Sequence, residues 1–210
     1  MVDKTFGVLK DRFDGMYFKI FPFKDGNLVF DDKLSIPMHP MIGVIGVAPK
    51  EGSFNTGTPH SHGGNMDTKL IVAGTTLYLP VSVNGALLAT GDIHAVMGDG
   101  EICGTGAETP ATVTLVVNVR KGLKLNNPVL DNGENLIVIA SAQTLDEASF
   151  IATSDMADIL ATRLPLDMQN INYLMSAIGN LQISQVVDPL MTARFSMPKK
   201  LIAEAYGFKF

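Results

Sequence analysis

The sequence contains one cysteine, Cys103, and no tryptophan. A lone thiol closes no intrachain disulfide, which suits a reducing, cytoplasmic location. Basic residues are few, 16 Lys and Arg against 21 Asp and Glu, and they are scattered. Nowhere do they cluster as phosphate contacts require, so nucleic acid is not expected as a partner. No apolar run reaches the ~18 residues of a membrane span, and the opening "MVDKTFGVLKDRFDG" has no apolar core of the kind a secretory leader carries. Glycine is plentiful, at 20 residues, in a chain that is 46% hydrophobic. Many glycines between short apolar runs predict a β-rich chain with tight connections. At 210 residues the chain is long enough for one good core.

From residue 17 to 143 the dominant period is two. "YFKIFPFKDGNLVF" reads as a hairpin turning at Asp25-Gly26. Leu77, Leu79, Val81 and Val83 alternate with polar or small residues in a half-buried strand, and Pro80 marks an edge or bulge. Asn84-Gly85 turns the chain into "ALLATGDIHAV", and "ATVTLVVNVRKG" and "ENLIVIASA" are further strands. After residue 144 the grammar becomes helical. Thr144 to Glu147 has the form of a capping box before "SFIATSDMADILATRL". Asp167 caps a second helix whose stripe is Met168, Ile171, Leu174, Met175 and Ile178, with Gly179 at its end. The tail returns to short strands. The expected fold is one α+β domain over residues 1–210. Its β body, sandwich- or barrel-like, spans 17–143, and one or two helices and closing strands fill 144–210.

Two glycine-rich stretches concentrate ligand-type side chains: "PHSHGGNMD" at 59–67 and "GDIHAVMGDGE" at 91–101. They contain four pairs spaced two apart: His60 and His62, Asn65 and Asp67, Asp92 and His94, Asp99 and Glu101. On extended backbone such residues share a face with Cβ atoms ~6–7 Å apart, so each pair can aim two ligands at one spot. Imidazole mixed with carboxylate suits Zn²⁺, and carboxylate with amide oxygen suits Ca²⁺ or Mg²⁺. Beside glycine, Asp and Asn are also ordinary turn formers, and an isolated histidine is usually surface. Asp92 and His94 tip the balance toward a site, because they continue an apolar strand where charge needs a partner. "GDGEICGTG" lacks the ending of a phosphate loop, so no nucleotide is expected. Cys103 reads as packing, and Ser61 as a weakly supported nucleophile.

"HPMIGVIGVAP", "HGGNMD", "AGTTLYLPVSVNGALLATGDIHAVMGDGEICGTGAE" and "LMSAIGNLQISQVVDP" together resemble the acetamidase/formamidase family, in order, from about residue 36 to 198. The resemblance implies hydrolysis of formamide or acetamide to ammonia and the carboxylate. It also implies a β-rich fold, homo-oligomers and, in some members, a divalent metal. By position, the family motif residues are His62, Asn65, Asp67, Asp92, His94, Asp99, Glu101 and Glu108, with His60 less firmly among them. Members of that family usually carry a further β-rich N-terminal segment. The expectation is therefore a shortened form, or one whose missing segment comes from a companion chain.

Amide hydrolysis needs a polarised carbonyl, an activated water and an acid for the leaving amine. The expected assignment gives a divalent metal, zinc or calcium, to His62, Asp67, Asp92 and His94. Glu101, His94 and Asp99 are the expected catalytic residues, with Glu101 as proton shuttle, and Asn65 and Gly64 the expected substrate contacts. Two other readings compete: a non-catalytic or partner-dependent subunit keeping the same pocket, and a metal-independent amidase using Ser61 or Cys103. If the site is real, Asp67, Asp92, His94 and Glu101 lie within roughly 8–10 Å of one another. Apolar edges at "YFKIFPF" and "LYLPVSV" predict an oligomer or a companion chain rather than a monomer.

Overall fold

A computed structural model describes residues 1–210. The expected turn at Asp25-Gly26 joins β1 (Phe23–Lys24) to β2 (Asn27–Val29), and β3 (Ser35–Pro37) completes a small antiparallel sheet. A second three-stranded sheet has β4 (Met41–Gly46) at its centre, flanked by β5 (Gly63–Asn65) and β7 (Ala89–His94). The largest sheet has five antiparallel strands: β6 (Thr76–Tyr78), β8 (Val129–Asp131), β9 (Asn135–Ala142), β10 (Asn180–Gln185) and β11 (Met191–Pro198), ordered β10-β11-β9-β8-β6. Three helices follow the β body: α1 (Leu145–Ala161), α2 (Met168–Ile178) and α3 (Lys199–Tyr206). The fold is α+β with β predominating. None of the helices is long and apolar enough to cross a membrane.

Strand β9 explains the layering. It is apolar on both faces, which a strand requires when material packs above and below it. Leu136, Val138 and Ala140 join the helix residues Ala152, Met156, Leu160, Ile171 and Met175 in the main core. The alternate residues Ile137 and Ile139 pack with Ile45 of β4, Met66 and Ile71. The five-stranded sheet thus lies between the helices and the smaller sheet that carries "HGGNMD" and "GDIHAV". Strand β11 alternates in the same way. Ala193, Phe195 and Met197 belong to the helix-side clusters, while Thr192, Arg194 and Ser196 between them are buried polar residues.

The local signals for the helices hold. Thr144 caps α1 by accepting from the Glu147 amide at 3.2 Å, and Asp167 caps α2 by accepting from the Asn170 amide at 2.8 Å. Gly179 ends α2 with its amide donating to the Met175 carbonyl. Its φ is −78°, so glycine is there for space: an added Cβ would sit 2.5 Å from that carbonyl oxygen. Asp167→Ala removes one cap and is expected to cost about 1 kcal/mol, read as a small drop in thermal midpoint with activity unchanged.

Three expectations change. Strand β6 stops at Tyr78, and beyond Pro80 Val81 is exposed outside any sheet. "ATVTLVVNVRKG" has the period of a strand but pairs with nothing, leaving Val116 90% and Val119 82% exposed. Period two reports a backbone ready for a ladder, and the ladder still needs a neighbour. The tail adds the unexpected α3, which stops at Gly207 in the left-handed region at φ 66°.

Candidate metal centre

Strand β4 organises the site. Its Val44 pairs with Asn65 on β5 and with Gly91 on β7, and its Met41 pairs with His94. The ladder skips Gly43 and Asp92 between Ile42↔Ile93 and Val44↔Gly91. Asp92 has φ 57° there, and Asp67 and Glu101 are also left-handed, at φ 41° and 46°. Each such residue without glycine's freedom costs roughly 1–3 kcal/mol, and strain of this kind collects at functional sites. Gly43 leaves the room these acids need. A Cβ on it would collide with Asp92 Oδ2 and stand 2.6 Å from Asp67 Oδ1.

His94 is the hub. Its Nε2 is 3.2 Å from Glu108 Oε1, 3.3 Å from Asp92 Oδ1 and 3.9 Å from Asp67 Oδ1. The other ring nitrogen, Nδ1, is buried without a partner against Gly106, where any Cβ would strike it. Ligand atoms of Asp67, His94 and Glu101 lie within 4.8 Å of one another, and so do those of Asp92, His94 and Glu108. The two groups share the imidazole. A fifth carboxylate, Asp188, accepts from Asn65 Nδ2 at 3.0 Å.

Five carboxylates around one imidazole, two of them (Asp67 and Glu101) buried, cannot all be ionised at neutral pH. Burial first, and then Asp67, Asp188, Asp92 and Glu108, push Glu101 up to about 9. Burial and Asp67 push Asp188 up to about 8. Burial raises Glu108 to about 7 against the pull of His94, and Asp67 to about 6 against the same imidazole. Asp92 alone of the five is held low, chiefly by its hydrogen bond to His94. His94 is itself raised: burial opposes its charge, but Asp92, Glu108 and Asp67 together outweigh burial.

A divalent cation fits this donor set. Asp67 Oδ1 and Asn65 Oδ1 are buried with no hydrogen-bond donor to satisfy them, a costly state that a cation or a bound ligand relieves. Oxygen-rich donors with a single imidazole suit hard or borderline ions.

Residues 50–188 match the model of the Acetamidase/Formamidase family. The chain belongs to that family. The crystal structure of a predicted acetamidase/formamidase from Thermoanaerobacter tengcongensis superposes on all of this chain and 69% of its own, at 54% identity and TM-score 0.96. An acetamidase from Bacillus halodurans matches 99% of this chain and 70% of its own, at 46% identity and TM-score 0.95. A formamidase from Methylophilus methylotrophus is 39% identical over 87 residues, which are 39% of this chain and 21% of that protein. The chain therefore spans well under the full length of these family members.

Within this family member, the structure gathers Asp67, Asp92, His94 and Glu101 as the pair spacing suggested, with Glu108 beside His94. Asn65 reaches the cluster through Asp188. Gly64 sits next to it in β5, close against Thr58 and the His62 ring. His62, expected as a ligand, is brought into neither carboxylate group. It stacks on Phe54 at 5.0 Å, with His60 on the same ring at 4.8 Å. Burial and neighbouring His60 lower its pKa. Asp99, expected as catalytic, also joins neither group. Both of its oxygens are taken by Arg194 at 2.8 Å, with Lys69 at 2.9 Å. Ser61 bonds the exposed His60 at 3.0 Å and lines a cleft of about 610 Å³ with Phe54, Asn127, Glu147 and Pro189. Cys103 is exposed. Asp188 and Arg194 escaped the sequence reading, since neither belongs to a glycine-rich stretch or an i, i+2 pair of ligand-type residues.

Proposed function

We propose that this chain hydrolyses small linear amides of the formamide and acetamide class to ammonia and the carboxylate. The observation that carries the reading is one imidazole shared by carboxyl groups of opposite readiness: Asp92 held ionised, Glu101 pushed up to about 9 and Glu108 to about 7. Such divergence lets acid and base coexist at one pH.

Asp67 and Asp92, which face the space left by Gly43, together with His94 beside both, are the residues that would hold a divalent cation. Bound there, the cation would polarise the amide carbonyl and acidify a water. The chain's own groups do the rest. Glu101, which keeps its proton at neutral pH in the metal-free cluster, is placed to give one to the leaving amine, which departs poorly as an anion. Glu108, raised to about 7 in the same metal-free cluster, can take the proton of the attacking water. Asn65 has its amide nitrogen committed to Asp188, so its free Oδ1 is left to accept an N–H of the substrate. His62 and Asp99 have no step in this scheme.

The second reading, a subunit active only with a companion chain or as an oligomer, is favoured by exposed apolar surface. Phe18 is 71%, Ile20 92% and Val116 90% exposed, and a partner surface would cover such side chains. One experiment separates the readings: ammonia release from formamide, acetamide and propionamide by the purified chain, before and after chelation. The proposal expects release from the two smaller amides and its loss with the cation. No release at any protein concentration, with cation supplied, would leave only the partner-dependent reading.

A further inference from the structure

Arg194 lies at the middle of β11 with its side chain 1% exposed. A buried guanidinium needs every donor satisfied. Here Nε donates to Gln182 Oε1 at 3.1 Å, Nη1 to the Ile183 carbonyl at 2.8 Å and to Ser184 Oγ at 3.1 Å. Nη1 and Nη2 together grip Asp99 as a two-pronged fork. These partners are the chain neighbours of the site's acids. Asp99 is two residues from Glu101, and the intervening Gly100 is pinned to the 184–186 segment at both ends. Its amide donates to the Ser184 carbonyl at 2.7 Å, and its carbonyl accepts from Val186 at 3.2 Å. Ser184 Oγ also accepts from Thr68 at 2.9 Å, and Thr68 follows Asp67. Gln185 Oε1 accepts from the amides of Val187 and Asp188 at 2.8 and 3.0 Å, fixing the loop that carries Asp188.

We infer that Arg194 is the positioning residue of the site: through Asp99 and Ser184 it holds Glu101, Asp67 and Asp188 in register around His94. It touches no member of the cluster and has no chemical step. Its function is to keep three strained or crowded acids from three distant segments in one arrangement. Asp99 is its partner in this role. The inference rests on the amide-hydrolysis reading for its kinetic readout, and on geometry alone for the rest.

The fork distinguishes Arg194 from any other cation, so Arg194→Lys and Asp99→Asn are the informative variants, alone and combined. Lys199→Met serves as control. It breaks the Lys199–Asp131 ion pair at the start of α3, just beyond β11, and is expected to destabilise without reaching the site. Arg194→Lys and Asp99→Asn are each expected to lower kcat on the order of 100-fold, the scale of a misplaced catalytic group. KM should stay within about twofold, and the double variant should be no worse than the worse single one. Lys199→Met should keep kcat. Amide hydrogen exchange at Gly100 and Val186 should quicken in the two site variants and not in Lys199→Met. Losses in Arg194→Lys no larger than in the control, or multiplying in the double variant, overturn the inference. If the wild-type chain releases no ammonia, the amide reading fails by itself and the exchange comparison still decides the clamp. Unchanged exchange at Gly100 and Val186 then refutes it.

Discussion

Replacing Glu101 by glutamine is expected to slow ammonia release by about 10²- to 10⁴-fold, the range for loss of a general acid or base. Glutamine matches the carboxyl in size and polarity but moves no proton. The same change should leave the protein as stable or more stable at pH 8, and the sign follows from the direction of the shift. Burial and the surrounding acids push Glu101 from its ordinary 4.5 up to about 9. Its contribution to stability is complete below pH 4.5 and is lost as pH climbs through the folded value. At pH 8 the wild-type chain already carries most of that penalty, and Glu101→Gln does not. Steady-state kinetics and calorimetry on one preparation check both halves. A variant retaining most of its rate would remove Glu101 from proton transfer. A variant both inactive and much less stable would make its role one of packing.

The second large effect is a pH-dependent stability that a divalent cation reverses. Asp67, Glu108, Asp188 and Glu101 are raised to about 6, 7, 8 and 9. Each favours folding at acid pH and loses that contribution as pH rises toward its folded value. The raised His94 runs in the same direction. Asp92 and Asp99 are lowered and run the other way, but their contribution is complete above pH 3.8 and changes little beyond it. The metal-free chain should therefore lose thermal stability steadily from about pH 5 to pH 9. A cation neutralises the acids it meets and binds better as they deprotonate, so it should restore more at pH 8 than at pH 5. Held at a hundred times its dissociation constant it adds about 2.7 kcal/mol, roughly 5–10 °C for a chain of this size. Melting curves with chelator, then with Zn²⁺, Ca²⁺ or Mn²⁺ restored, read this directly. A curve flat in pH and indifferent to cation would sink the metal reading while leaving the family assignment intact.

Pair spacing was a partial guide to the site, and its failures have one cause. Asp92 and His94 lie on β7 and meet at 3.3 Å, although Asp92 itself sits in a left-handed irregularity of the strand at φ 57°. Asp99 and Glu101 have the same spacing, but Gly100 at φ 93° and Glu101 at φ 46° bend the chain between them. One acid then goes to Arg194 and the other to the cluster. His60 and His62 share a face as well, and it is the face of Phe54. The spacing guarantees a common direction only on extended backbone, and it never names what lies in that direction. "ATVTLVVNV" makes the same point for strands: its alternation is as good as that of β11, and it has no neighbour to pair with.

Everything that local interactions decide was legible in the order of the residues. The β-rich body, the positions of α1 and α2, and the continuous burial of "LIVIA" follow from caps three residues away and from periods of two and 3.6. The long family-like motifs, read whole, also pointed to acetamidase/formamidase, the family to which the chain belongs. Tertiary structure alone decided which polar groups meet. Asn65 finds Asp188 across 123 residues, Asp99 finds Arg194 across 95, and Thr68 finds Ser184 across 116. Contacts at such separation leave no periodic trace, because a buried acid or guanidinium looks the same in sequence whether or not its partner folds against it. What makes them obligatory is desolvation: a charge taken out of water must be met by another, and only the packed sheets determine where that other stands.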